Sequence, residues 1–158
     1  MKETLKTAAA HRGSAFIEIL QNCNIFNDGA WFSLTERDAR SEHVITLEQG
    51  KPMVFGKNRD KGIRMVGMDL EVVQLGSGIT ESDLLIHDAK NPNPAYAFAL
   101  AQMEKREGFP TPIGILRNWN DQPRYEEVLN QQIKDVIAKR GPGDLNKLLR
   151  AGDTWQVR

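Results

Sequence analysis

The spacing of apolar and polar positions changes along this chain, and each change marks an expected element. Residues 5–12 are alanine-rich helix formers ended by Gly13, and residues 14–20 then run Ser-Ala-Phe-Ile-Glu-Ile-Leu with a single charged break. That order predicts a helix, a stop and a strand. A strand apolar on both sides suits a parallel sheet covered on both faces, whose neighbours are reached through crossover connections. Only one helix precedes it. Its sheet partners are therefore expected later in the sequence or on another polypeptide, as if the chain began in the middle of an α/β unit.

Shorter β-prone runs follow. Residues 44–47 and 53–55 flank Gln49, Gly50, Lys51 and Pro52 and predict a hairpin. Residues 63–66 and 70–75 predict a second hairpin, turning at Gly67, Met68 and Asp69, beyond a solvated tip at residues 57–62. Residues 84–86 read as a compact strand. Asn93 can cap a helix with Pro94 as its first residue and Tyr96, Ala99, Leu100 and Met103 on one face, before Gly108 and Pro110 stop it. With the apolar run 113–116, the order strand, helix, strand predicts a right-handed crossover unit. Tyr125, Val128, Leu129, Ile133, Val136 and Ile137 then recur at helical spacing and predict an amphipathic helix. Gly141, Pro142 and Gly143 break it, Asp144 can cap a last short helix carrying Leu145, Leu148 and Leu149, and Gly152 closes that.

A chain of 158 residues is one ordinary domain in length, with 21 basic against 21 acidic residues. A formal charge of zero gives no global attraction to a polyanion, so no nucleic-acid partner is expected. Mean hydropathy of -0.49 and 40% hydrophobic residues fit a soluble, folded chain. Charged residues stand where a signal peptide needs an apolar core, and no run approaches a membrane span. A cytoplasmic location without membrane contact is the expectation. The single cysteine, Cys23, excludes an internal disulfide and any metal site built wholly from this chain's thiolates.

Several constellations have a functional and a structural reading. Gly76-Ser77-Gly78 starts like a dinucleotide loop, but Glu81 stands at the third glycine position and no apolar helix opens there, which favours a turn. His87 and Asp88 are adjacent, and strand neighbours point to opposite faces, so strand-end packing and capping outweigh a catalytic dyad. His11, His43 and His87 share no ligand spacing. Glu18 interrupts an apolar strand, where a carboxylate must find donors or stay protonated, or else sits structurally at a strand end. Lys57, Arg59, Lys61 and Arg64 form the one basic concentration, read as a solvated turn or as a steering patch for an acidic partner. Trp31, Trp119 and Trp155 fall in or beside loops, open to core or interface use. Cys23 sits in the polar loop 21–28 beyond the carboxyl end of the first strand, where α/β sheets bind ligands. Taken alone, a single cysteine is more often an inert small hydrophobe.

At this loop the run 8–30, which contains Gln21-Asn22-Cys23-Asn24-Ile25-Phe26-Asn27-Asp28-Gly29, resembles the β subunit of thiamine-diphosphate-dependent 2-oxoacid:ferredoxin oxidoreductases. The 2-oxoglutarate type fits best. The resemblance continues through Leu47-Glu48-Gln49-Gly50-Lys51-Pro52, residues 84–89, Pro110-Thr111-Pro112-Ile113-Gly114 and the tail Gly152-Asp153-Thr154-Trp155. It covers essentially the whole chain but only about the second half of that subunit.

The resemblance implies an α/β fold: the end of a thiamine-binding-type parallel sheet, followed by a mixed α/β C-terminal extension with β-hairpins. Residues 1–31 correspond to the last helix-strand unit and cluster loop of the thiamine-binding fold, and residues 32–158 to the extension. The implied activity is oxidative decarboxylation of a 2-oxoacid, with electrons passing one at a time to a [4Fe-4S] cluster and then ferredoxin while coenzyme A takes the acyl group. In the family, the Gly-Asp-Gly segment that holds Mg2+ and thiamine diphosphate, and three of the four cluster cysteines, lie in the other half and are absent here. Cys23 matches the fourth. The resemblance thus assigns Cys23 as a cofactor-binding and metal-ligating residue, with none of the cofactors held by this chain alone. It implies an α-type subunit and the thiamine-binding portion as partners and an inactive isolated chain. Two other readings stand beside it: a non-catalytic assembly or docking module, and a remnant that folds poorly because its first strand lacks neighbours.

Overall fold

The computed structural model describes residues 1–157 as a mixed α/β chain in two compact units, the first spanning Met1–Asp121 and the second beginning at Gln122. In the first unit, α1 (Lys2–Ala10) is followed by the extended segment 14–20, then by the short helices α2 (Phe32–Thr35) and α3 (Arg37–His43). Next come β1 (Val44–Leu47), β2 (Val54–Phe55), β3 (Lys61–Val66) and β4 (Asp69–Gln74). Helix α4 (Pro94–Gln102) and strand β5 (Thr111–Gly114) complete it. The second unit holds α5 (Tyr125–Arg140) and α6 (Leu145–Leu149). Among the described residues no helix is long and apolar enough to cross a membrane.

Strands β2, β3 and β4 form an antiparallel sheet, while β1 and β5 pair in parallel with Val44 opposite Thr111 and Leu47 opposite Gly114. The β3–β4 hairpin closes where the sequence predicts, with Gly67 at φ +62° in the turn. The hairpin expected between residues 44–47 and 53–55 does not form. Ile45 and Leu47 are buried, and they gain a covered parallel neighbour in β5 that an adjacent hairpin strand does not supply. Residues 53–55 turn instead to β3.

Residues 84–86 are likewise not the first strand of a crossover to β5. A 3₁₀ turn at Glu81–Asp83 leads into them, and residue 85 threads between two other segments. Met53 N–H donates to its carbonyl at 3.0 Å, and its own N–H donates to Ile63 O at 2.8 Å. Leu84 packs against the bare backbone of Gly62, where a Cβ would come within 2.5 Å of Leu84 Cδ2.

The segment 14–20 is extended but pairs with no strand among the described residues, and Phe16 is 92% exposed. The apolar run supplies strand propensity and no hydrogen-bonded neighbour, and a strand persists as a ladder only with one. Helix α4 follows its sequence rules closely. Asn93 Oδ1 accepts from Ala95 N–H at 3.0 Å, Pro94 occupies the first turn, and Tyr96, Leu100 and Met103 are buried. They join Ile45, Leu47, Phe55, Ile63 and Leu70 in one core cluster. Each such side chain contributes roughly 1.5–3 kcal/mol when fully covered. In the second unit, Glu127 Oε2 accepts from Arg124 N–H at 3.2 Å and Asp144 Oδ1 from Lys147 N–H at 3.0 Å, which caps α5 and α6.

Candidate functional site

The loop carrying Cys23 is built from local hydrogen bonds. Asn27 N–H donates to Cys23 O at 2.9 Å and closes a tight turn, so that residues 24–26 fold back over the cysteine. Asn22 braces the ring from outside: its Nδ2 donates to Asp28 Oδ1 at 2.9 Å, and its Oδ1 accepts from Gly29 N–H at 3.0 Å. Trp31 Nε1 donates to Gln21 O at 3.0 Å and ties the loop's two ends together. Gly29, at φ +76°, makes the reversal that a side chain would strain and lies against the Phe32 ring.

The consequence falls on the sulfur. Cys23 is half-buried, and the backbone amides of Phe26 and then Ile25, in the turn that folds back over it, hold its thiol below the ordinary range against a smaller opposing effect of burial. Peptide N–H groups beside a sulfur favour its thiolate as they would any anion. The side chains of Ile25 and Phe26, next along the turn, are 79% and 90% exposed. A thiol with a lowered pKa at such a turn is suited to be one ligand of a soft metal centre. Among the described residues no group of three or more His, Cys, Asp and Glu side chains that could hold a metal ion converges.

His87 does different work. It is buried to 1% exposure, with Nε2 2.9 Å from Ile115 O and Nδ1 3.0 Å from Tyr96 Oη. A carbonyl only accepts, so Nε2 carries the proton and Nδ1 accepts from the tyrosine hydroxyl, which itself accepts from Asp88 N–H at 3.2 Å. Both ring nitrogens are therefore spent on structure. Burial pushes the His87 imidazole below and the Tyr96 phenol above their usual ranges. Asp88 faces away to Gln49, whose Nε2 donates to it at 2.8 Å while Gln49 Oε1 accepts from Ala89 N–H at 2.7 Å. The dyad reading of His87 and Asp88 thus gives way to packing and capping. Tyr96 and Gln49 complete this network, and the sequence marks them only as a helix-face residue and as a turn residue within the block 47–52. Beside the network, at the carboxyl ends of β1 and β5, lies a groove of about 320 Å³ lined in part by Thr46, Gln49, His87 and Lys90.

The remaining candidates disperse. Gly76 and Ile79 exchange backbone hydrogen bonds of 2.9 and 3.0 Å around Ser77 and Gly78, which closes a tight turn there. Three bases of the basic concentration face acids: Lys61 meets Glu42 at 2.7 Å, Arg64 meets Glu71, and Arg59 lies 3.9 Å from Glu81. Glu18 is exposed in the extended segment. His11 Nδ1 approaches Asn118 Oδ1 at 3.0 Å, three residues beyond the carbonyl that holds His87 Nε2. Trp31 and Trp119 are half-buried and Trp155 is exposed.

No protein-family model matches the chain, and no solved structure matches it with significance. Among curated proteins it is similar to the 2-oxoglutarate oxidoreductase subunit KorB of Mycobacterium tuberculosis, with 36% identity over 99% of this chain. The chain spans 42% of that relative's length, consistent with a C-terminal part of such a β subunit.

Proposed function

We propose that this chain is the C-terminal portion of the β subunit of a 2-oxoacid:ferredoxin oxidoreductase and that the assembled enzyme acts on 2-oxoglutarate. The observation that carries the reading is the 36% identity extending over 99% of the chain, rather than over one motif. The closed turn at Cys23 and its lowered thiol support the finer part, in which Cys23 supplies the fourth thiolate of a [4Fe-4S] cluster whose other three ligands come from the thiamine-binding portion.

When bound, thiamine diphosphate with Mg2+ supplies the decarboxylating chemistry, and the cluster takes up single electrons for ferredoxin while coenzyme A accepts the acyl group. This chain's own contribution is narrower. The Asn22–Asp28 brace and the Trp31–Gln21 tie hold the loop closed, so that Cys23 is presented in a fixed direction. Such preorganisation lowers the reorganisation that accompanies a change of charge at sulfur. The unpaired segment 14–20, leading straight into that loop, serves as a strand of the thiamine-binding sheet, where residues 1–31 belong in this reading. An α-type subunit is the further partner.

The test is reconstitution. The chain is co-expressed with a polypeptide carrying the thiamine-binding motif and three cysteines, together with an α-type subunit, and 2-oxoglutarate-dependent viologen reduction is measured. Co-purification with coenzyme A-dependent turnover in the mixture, and none with this chain alone, is the expected outcome. Turnover by the isolated chain, or failure to associate, would overturn the reading.

A further inference from the structure

Among the described residues of the second unit nothing covers the apolar stripe of helix α5. Leu129, Ile133, Val136 and Ile137 are 37–48% exposed and Tyr125 is 78% exposed, while the leucines of α6 reach 68–72%. Half-exposed side chains of this size leave on the order of 500 Å² of apolar surface on the second unit. That is the scale at which exposed patches mark interaction sites, and it matches the apolar share of one side of a standard interface of about 800 Å² per partner.

The charges along the stripe indicate what covers it. Glu126, Leu129, Ile133, Val136 and Arg140 recur at alternating spacings of three and four and so share one face. The acid stands at the helix's amino end, the base at its carboxyl end beside Lys139, and Ile133 lies midway. Glu126 has only an exposed ion pair to Arg124 at 3.1 Å, which is readily exchanged, and neither Lys139 nor Arg140 has an ion pair among the described residues. Laid parallel, two such helices oppose acid to acid and base to base. Laid antiparallel about a two-fold axis near Ile133, each Glu126 meets the Lys139–Arg140 end of the other copy, the apolar residues meet between, and the helix dipoles oppose. The face is self-complementary in one orientation only.

We propose that α5 is a self-association face, joining this chain to a second copy of itself through an antiparallel α5–α5 pair. The face does not include the Cys23 loop, and the proposal stands independently of the oxidoreductase reading.

Light scattering on the eluting full chain tests it. The native chain should run at twice its 17.8 kDa mass, and Ile133→Asp should weaken association at least tenfold with helix content unchanged. Charge exchange keeps the test open if that variant unfolds. Glu126→Lys alone, and Lys139→Glu with Arg140→Glu alone, should each shift the chain towards monomer, whereas an equimolar mixture of the two should recover the dimer mass. A native chain that stays monomeric, or swaps that leave the dimer intact, or a mixture that fails to recover it, would overturn the proposal, with an unlike partner then the better occupant.

Discussion

Replacing His87 by Ala removes the buried centre of the network that joins residues 87–89, α4 and the end of β5. The substitution leaves Ile115 O without its donor and Tyr96 Oη without its acceptor, both in a region where His87 itself is 1% exposed. An orphaned buried polar group costs about 1–3 kcal/mol, and the vacated imidazole volume adds a cavity cost, for a total of about 3–5 kcal/mol. For a unit of this size that corresponds to a fall in melting temperature on the order of 10–20 °C. Tyr96→Phe is the milder probe. It leaves the His87 Nδ1 acceptor and Asp88 N–H unmatched and should cost about 1–2 kcal/mol. Since both changes break one shared bond, the double variant should be less destabilised than the sum of the singles by at least about 0.5 kcal/mol. Urea titration with fluorescence and circular dichroism detection measures all three. A loss below about 1 kcal/mol for His87→Ala, which is the ordinary range for an undistinguished position, would refute the network argument.

Two further outcomes follow from the same geometry. Because burial holds the His87 imidazole below its ordinary range, the unfolded chain takes up that proton first on acidification; the associated stability is complete above the unfolded value near about 6.5 and is lost as pH falls towards the folded value. Stability curves against pH should therefore slope less between about pH 6.5 and 5 in His87→Ala than in the native chain, and identical slopes would assign the acid sensitivity elsewhere. Gly62→Ala would drive a methyl group into buried Leu84, so a loss of about 1–3 kcal/mol is expected, relieved in part by Leu84→Ala; a neutral Gly62→Ala would show that Leu84 moves aside freely.

What the sequence disclosed was governed by range. Asn93 and Pro94 before an apolar helix face, the Gly67 turn between two β-prone runs, and Asp144 before three leucines are local signals, and each element stands where they put it. The pairing of β1 with β5 joins residues more than sixty positions apart, and no local pattern ranks it above the adjacent hairpin. Covered burial of Ile45 and Leu47 decides it. Residues 14–20 have strand character without a strand, because propensity is a property of the segment and a ladder is a property of two. At the candidate site Cys23 was singled out through family resemblance. The turn that folds residues 24–26 back over it was not, since it arises from the backbone path rather than from side-chain identity. His87 was visible as a histidine, while its depth and its Tyr96 partner depended on tertiary packing.

The central claim is that Cys23 ligates a cluster completed by another polypeptide. The most direct measurement is iron content and the low-temperature EPR spectrum of the dithionite-reduced, assembled complex, with native Cys23 and with Cys23→Ala. The account predicts that the substitution removes or strongly diminishes the [4Fe-4S] signal and the associated iron while the subunits still co-purify. An unchanged iron count and an unchanged spectrum would contradict it.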